Sequence, residues 1–158
     1  MKIVVMSDSH GNYSAVEKIM KKAPDGDLYI HLGDGEREFS RLVESYPDKK
    51  FRYVRGNCDY SYEYEKTAVF TMNGIKTIAT HGHEFSVKYS FDRLRYLALE
   101  NDAKIVLFGH THCRFECYED GIYFLNPGSC ALPRDMKPAS FGVIDISPAG
   151  IVTNIVEV

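Results

Sequence analysis

The chain has 158 residues, 44% hydrophobic and 26% charged. That is an ordinary globular composition, and the length suits one domain, residues 1–158, burying about two-thirds of its unfolded surface. A formal net charge of −3 excludes the basic footprint of non-specific nucleic-acid binding. The opening residues read as neither signal peptide nor membrane span.

Ile3-Val4-Val5-Met6 is a continuous apolar run, the pattern of a buried strand, and it meets Ser7-Asp8-Ser9-His10-Gly11. Open α/β sheets place their chemistry in loops at the C-terminal ends of parallel strands. On alternate residues of an extended tip, Asp8 and His10 would point the same way. They would then offer one oxygen and one nitrogen to a divalent metal. Alone, the pair reads equally as a capping aspartate beside a surface histidine. Tyr13 to Lys22 carries Val16, Ile19 and Met20 at helical spacing, with Asn12 as its cap. Leu28 to Leu32 is a second strand, ending in Gly33-Asp34. Glu36 to Ser45 is a second helix. A third strand, Lys50 to Val54, runs into Arg55-Gly56-Asn57-Cys58-Asp59. Three strand–loop–helix units predict parallel pairing with right-handed crossovers.

From Ser61 the pattern changes. Thr67 to Met72 and Ile75 to Thr80 flank Asn73-Gly74, a strong hairpin signal, and lead into His81-Gly82-His83. Asp92 to Asn101 is a helix with Leu94, Leu97 and Ala98 inward. Ile105 to Phe108 is a buried strand that delivers Gly109-His110-Thr111-His112. Cys113 to Tyr118 and Ile122 to Leu125 form a second hairpin, followed by a tight turn at Asn126-Pro127-Gly128-Ser129. Phe141 to Ile146 and Ile151 to Val156 close the chain as a third hairpin. The expected fold class is α/β: a two-sheet mixed β-sandwich flanked by helices. Cys58, Cys113, Cys117 and Cys130 match no zinc-ribbon spacing, and Cys113 and Cys117 read as packing, so reduced thiols in a cytoplasmic protein are expected.

Taken together, five strands end in Asp8/His10, Asp34, Asn57, His81 and His110/His112. Five of the six histidines lie in these loops, which scattered surface histidines would not do. The ordered set Asp8-Ser9-His10, Gly33-Asp34, Gly56-Asn57, His81-Gly82-His83 and Gly109-His110-Thr111-His112 resembles the calcineurin-like metallophosphoesterases over nearly the whole chain. The small size, Gly56-Asn57-Cys58-Asp59 and Asn126-Pro127-Gly128-Ser129 are similar to the YfcE-type phosphodiesterase branch.

The resemblance implies two divalent metal ions. Asp8, His10, Asp34 and His112 would hold one, and Asp34, Asn57, His81 and His110 the other. Oxygen and imidazole donors suit Mn2+, Fe or Zn2+ more than Ca2+; the resemblance implies Mn2+ first, with Ni2+, Fe, Zn2+ or Mg2+ as alternatives. The implied reaction is hydrolysis of a small phosphodiester by a metal-bridging hydroxide. A phosphomonoesterase acting on a small phosphate ester and a protein-docking scaffold of the same fold are the alternatives. The complete ligand set favours an enzyme, and the short loops favour an open site of broad specificity. A homodimer or higher homo-oligomer is left open. His83 has three readings: it protonates the leaving group, touches phosphate, or holds Asp59. Many relatives carry a catalytic His where this chain has Cys58; a neutral thiol is a poorer proton donor. Efficient cleavage of poor leaving groups would then depend on His83. His31, inside the second strand, reads as a core or supporting residue, and Arg55 and Arg134 as exposed arginines within reach of a substrate phosphate.

Overall fold

The computed structural model describes residues 1–158. Two five-stranded mixed sheets face one another. The strands are β1 (Lys2–Met6), β2 (Leu28–His31), β3 (Phe51–Tyr53), β4 (Thr67–Met72), β5 (Ile75–Thr80), β6 (Ile105–Leu107), β7 (Arg114–Glu119), β8 (Ile122–Pro127), β9 (Ser140–Ser147) and β10 (Gly150–Glu157). The first sheet has the order β10-β9-β1-β2-β3, with β1, β2 and β3 parallel; the second has β4-β5-β6-β8-β7, with β5, β6 and β8 parallel. The helices are α1 (Tyr13–Lys22), α2 (Glu36–Ser45) and α3 (Asp92–Glu100).

The two-residue periodicity of the strands sorts the core into three layers. Ile3, Val5, Ile30 and Leu32 face Ala79, Ile105, Leu107 and Leu125 between the sheets. Their neighbours Val4, Met6 and Tyr29 point outward and pack under Val16, Ile19 and Met20 of α1 and Leu42 of α2. On the far side, Ile78, Val106 and Phe124 pack under Leu94 and Ala98 of α3. Strands covered on both faces need the continuous apolar runs seen in the sequence.

Local signals hold where they are chemical. The Asn12 side chain accepts from the Ala15 amide and caps α1. Asn73 (φ 46°) and Gly74 (φ 82°) take the two positive dihedrals of a tight hairpin turn. Leu97, half-buried, packs against the cluster under α3 as expected. One detail differs from expectation. Asn126 and Pro127 are not a turn but the end of β8, paired with Phe115 and Arg114. The Asn126 amide donates to Gly109 O (2.9 Å) and Thr111 Oγ1 (3.0 Å). It thereby ties β8 to the loop that carries His110 and His112.

Candidate metal centre

Parallel pairing brings the C-terminal ends of β1, β2 and β3 to one edge, and β5 and β6 bring theirs beside it. The ladder continues into the loops: Asp8 N donates to Gly33 O, His10 N to Asp34 O, and Gly109 N to His81 O. The Asp8–His10 tip is not extended as expected. Asp8 (φ 55°) and His10 (φ 43°) are both left-handed, as are Asp34, His110 and His112. Non-glycine residues in that region cost about 1 kcal/mol or more each. The loops are held there by their neighbours. A Cβ on Gly33 would sit 2.6 Å from Gly56 N, and one on Gly56 would be 2.5 Å from Asp34 N and overlap Asp34 Oδ1. Only glycines let these loops approach so closely.

The sequence-predicted ligands form two adjoining donor sets. In one, His112 Nε2 lies 3.2 Å from both Asp8 Oδ1 and His10 Nε2, and His10 Nε2 lies 3.7 Å from Asp8 Oδ1 and from Asp34 Oδ2. In the other, His81 Nε2 lies 3.2 Å from Asn57 Oδ1, 3.4 Å from Asp34 Oδ2 and 3.2 Å from His110 Nδ1. Asp34 Oδ2 belongs to both. Donors about 2.0–2.2 Å from a common cation stand roughly 2.9–3.6 Å apart in octahedral or tetrahedral arrangement, so most of these separations are those of coordination edges. Asp8 Oδ1 is buried and has no hydrogen-bond partner, although Asp8 Oδ2 accepts from Ser7 Oγ (2.5 Å) and the His110 amide (3.1 Å). A buried carboxylate oxygen left open among imidazoles fits a cation.

The tautomers of two rings follow from their partners. His81 Nδ1 donates to Leu32 O and His112 Nδ1 to Leu132 O, both at 2.7 Å, which turns each Nε2 toward the donor sets, where a bound cation would take its lone pair in place of a proton. Burial alone would raise the Asp8 carboxyl, but the His10 and His112 rings outweigh it and hold it well below the usual carboxylate range. Burial also works to raise Asp34, yet His81 brings it down to about 2. His10 is raised by its contact with Asp8. His110 is pushed down to about 4, by burial first and then by the charge of His81.

The remaining candidates divide. Cys58 Sγ lies at the rim, grouped with donor atoms of His10 and Asp34, while its amide donates to Asp34 Oδ1 (2.8 Å). Burial, then Asp34, raises its thiol to about 11. The His83 ring lies tilted beside His81 and His110, with centroids 5.4 and 6.1 Å away, and its Nδ1 is buried without a partner. It does not hold Asp59. That carboxylate is taken by the amides of Asp34, Gly35, Glu36 and Gly56 and by the Tyr53 hydroxyl. Arg55 is occupied with the Tyr62 ring and Ser61 O.

His31 is a supporting residue, as expected. Its Nδ1 accepts from the Gly33 amide, so Nε2–H donates to Ser9 Oγ (3.0 Å). Ser9 Oγ donates to Glu38 Oε1 (2.8 Å), which also accepts from the Gly11 amide. Burial lowers His31 to about 4 and keeps it neutral in this chain. The sequence reading assigned no role to Ser9 or Glu38, and for Asp59 offered only the His83 contact. Ser9's place between two ligands was the one available signal.

Two adjoining donor sets thus stand at the strand ends of a two-sheet α/β sandwich, an arrangement suited to divalent cations. Residues 1–149 match the calcineurin-like phosphoesterase superfamily domain, and the chain belongs to that family. It is similar to the probable metallophosphoesterase YsnB of Bacillus subtilis, at 32% identity over 92% of this chain and 85% of the relative. Phosphodiesterase YfcE of Escherichia coli is 29% identical over 92% of this chain and 88% of YfcE, in line with the branch its motifs resemble. A conserved Streptococcus pneumoniae protein described as a predicted phosphoesterase superposes with TM-score 0.86 at 34% identity, covering 99% of this chain and 88% of that one. Vps29 of Entamoeba histolytica complexed with zinc shares the fold at TM-score 0.77 and 19% identity, covering 99% and 98% of the two chains.

Proposed function

We propose that the protein is a phosphodiesterase that works with two divalent cations, Mn2+ foremost, on small phosphodiesters. One observation carries this reading: two donor sets with coordination-edge spacings share the single oxygen Asp34 Oδ2, beside the open Asp8 Oδ1. Asp8, His10, Asp34 and His112 would hold one ion, and Asp34, Asn57, His81 and His110 the other. Bound cations would supply Lewis acidity toward phosphoryl oxygens and a water acidified to near neutral pH.

The chain's own residues do the rest. Leu32 O and Leu132 O fix the His81 and His112 rings, and Asp59 fixes the backbone that presents Asp34 and Asn57. Cys58, beside His10 and Asp34, and His83, beside His81 and His110, are the candidates for passing a proton to the leaving group. Cys58, with its pKa raised to about 11, is a weak donor. His83, lowered by burial and then by His81, is largely neutral near pH 7. Neither is a strong acid catalyst, so the site suits diesters with good leaving groups. The complete donor set disfavours a purely docking role. All four cysteines are free thiols, which supports a reducing, cytoplasmic setting.

Protein stripped by chelator should lose hydrolysis of bis-p-nitrophenyl phosphate and regain it with Mn2+. Activity indifferent to chelation would remove the metal from the account. A clear preference for p-nitrophenyl phosphate over the diester would instead favour the phosphomonoesterase alternative.

A further inference from the structure

Beside the donor sets a groove of about 750 Å3 opens from His10, Asp34 and Cys58 along the exposed face of α2. That volume is in the range of small-molecule sites, roughly 300–1,000 Å3. Because α2 starts directly after Asp34, its side chains form a wall that leads away from the shared carboxylate. Arg37 and Arg41, four residues apart, share that face about one helical turn from each other. Arg37 makes no hydrogen bond or ion pair with any protein group. The Arg41 guanidinium rests 3.8 Å over the Tyr13 ring, which positions it without using its N–H donors. The opposite wall is the segment from Cys58 to Ser61, fixed where Glu36 Oε2 accepts the Tyr60 and Ser61 amides. Tyr60 is 88% exposed on that wall.

We infer that this groove is a specificity site for nucleotide esters bearing a second phosphate. Arg37 and Arg41 would take that phosphate while the first lies at the metal centre. The inference rests on the phosphoesterase reading of that centre. Free guanidinium forks match phosphate oxygens in pairs, and an exposed tyrosine across the groove offers a face on which a base can stack. Glu44, three residues beyond Arg41, lines the same groove and opposes anions there; Glu36, Glu38 and Asp59 oppose them less, because backbone amides take up their carboxylates.

Calorimetry in Mn2+ buffer can compare thymidine 5′-monophosphate, thymidine 3′,5′-bisphosphate and fructose 1,6-bisphosphate. The native protein should bind the thymidine bisphosphate roughly tenfold tighter than the monophosphate, the scale of one charge-assisted phosphate contact. Arg37→Ala with Arg41→Ala should bring that ratio to about one, and Glu44→Gln should raise it. Lys76→Ala with Lys104→Ala, which removes equal charge elsewhere, should leave it unchanged. A ratio near one in the native protein, or one unaffected by loss of the arginines, overturns the inference. Fructose 1,6-bisphosphate binding as tightly as the thymidine bisphosphate overturns the nucleotide assignment. Hydrolysis of bis-p-nitrophenyl phosphate, which has no second phosphate, reports the underlying reading separately and should survive loss of both arginines. If hydrolysis is absent while the ratio holds, only the catalytic reading fails. If hydrolysis is present and the ratio is near one, only the groove does.

Discussion

Asp59 is the residue whose replacement should be felt most widely for its size. Its two oxygens accept from four amides and one hydroxyl, at 2.6 to 3.2 Å, drawn from the Asp34 loop, the start of α2, Tyr53 and Gly56. Asp59→Ala strands all five donors. Each stranded donor costs roughly 1–3 kcal/mol when fully buried, but Asp59 is half-buried and water can replace part of the loss. The net cost should be about 3 kcal/mol. For a domain of this length that lowers Tm by about 6–12 °C. The same change loosens both loops that present Asp34 and Asn57, so Mn2+ affinity should fall about 10–100-fold. Asp59→Asn, which keeps the shape but turns an N–H2 toward some of these donors, should do nearly as much harm. Thermal unfolding of the metal-free protein and a calorimetric Mn2+ titration read the two effects separately. A variant that melts within about a degree of the native protein and binds Mn2+ within twofold would refute the clasp.

Three further outcomes are expected. Mn2+ at one hundred times its dissociation constant should stabilise the fold by about 2.7 kcal/mol and raise Tm by roughly 5–10 °C; an unmoved Tm would mean that the donors bind no cation. Gly56→Ala places a Cβ against the Asp34 carboxylate and 2.5 Å from the Asp34 backbone N, so the Asp34 loop must shift with its side chain; a displacement of about 1 Å should cost about 100-fold in kcat, and near-native turnover would show that Asp34 tolerates movement. Cys58→His should raise kcat/KM on diesters with poor leaving groups more than on bis-p-nitrophenyl phosphate. Equal effects on the two would leave the leaving-group proton to His83 or to solvent.

The ligands were legible in the sequence because each follows a strand, and strand ends are marked by chemistry that survives without the fold: glycine, asparagine and histidine after an apolar run. The hairpin at Asn73-Gly74 and the cap at Asn12 were readable for the same local reason. The pairing of β9 with β1 was not, since antiparallel partners far apart in sequence leave no local mark. The supporting residues were hidden more deeply. Asp59 finds its donors 23 to 25 residues away in the Asp34 loop as well as close by, and Glu38 reaches the Gly11 amide and Ser9 across 27 and 29 residues. A buried glutamate on an otherwise amphipathic helix looks like any surface glutamate until its partners are seen. Asn126 was misread because an Asn-Pro-Gly-Ser string signals a turn, while pairing with β7 extends the strand through its first two residues.

The central claim is that Asp34 is shared between two cations. Crystals soaked in Mn2+ and measured at the manganese absorption edge test it without reference to activity. Two anomalous peaks are predicted, one among Asp8, His10 and His112 and one among Asn57, His81 and His110, with the Asp34 carboxylate touching both. A single peak that leaves Asp34 unshared, or none at these side chains, would contradict it.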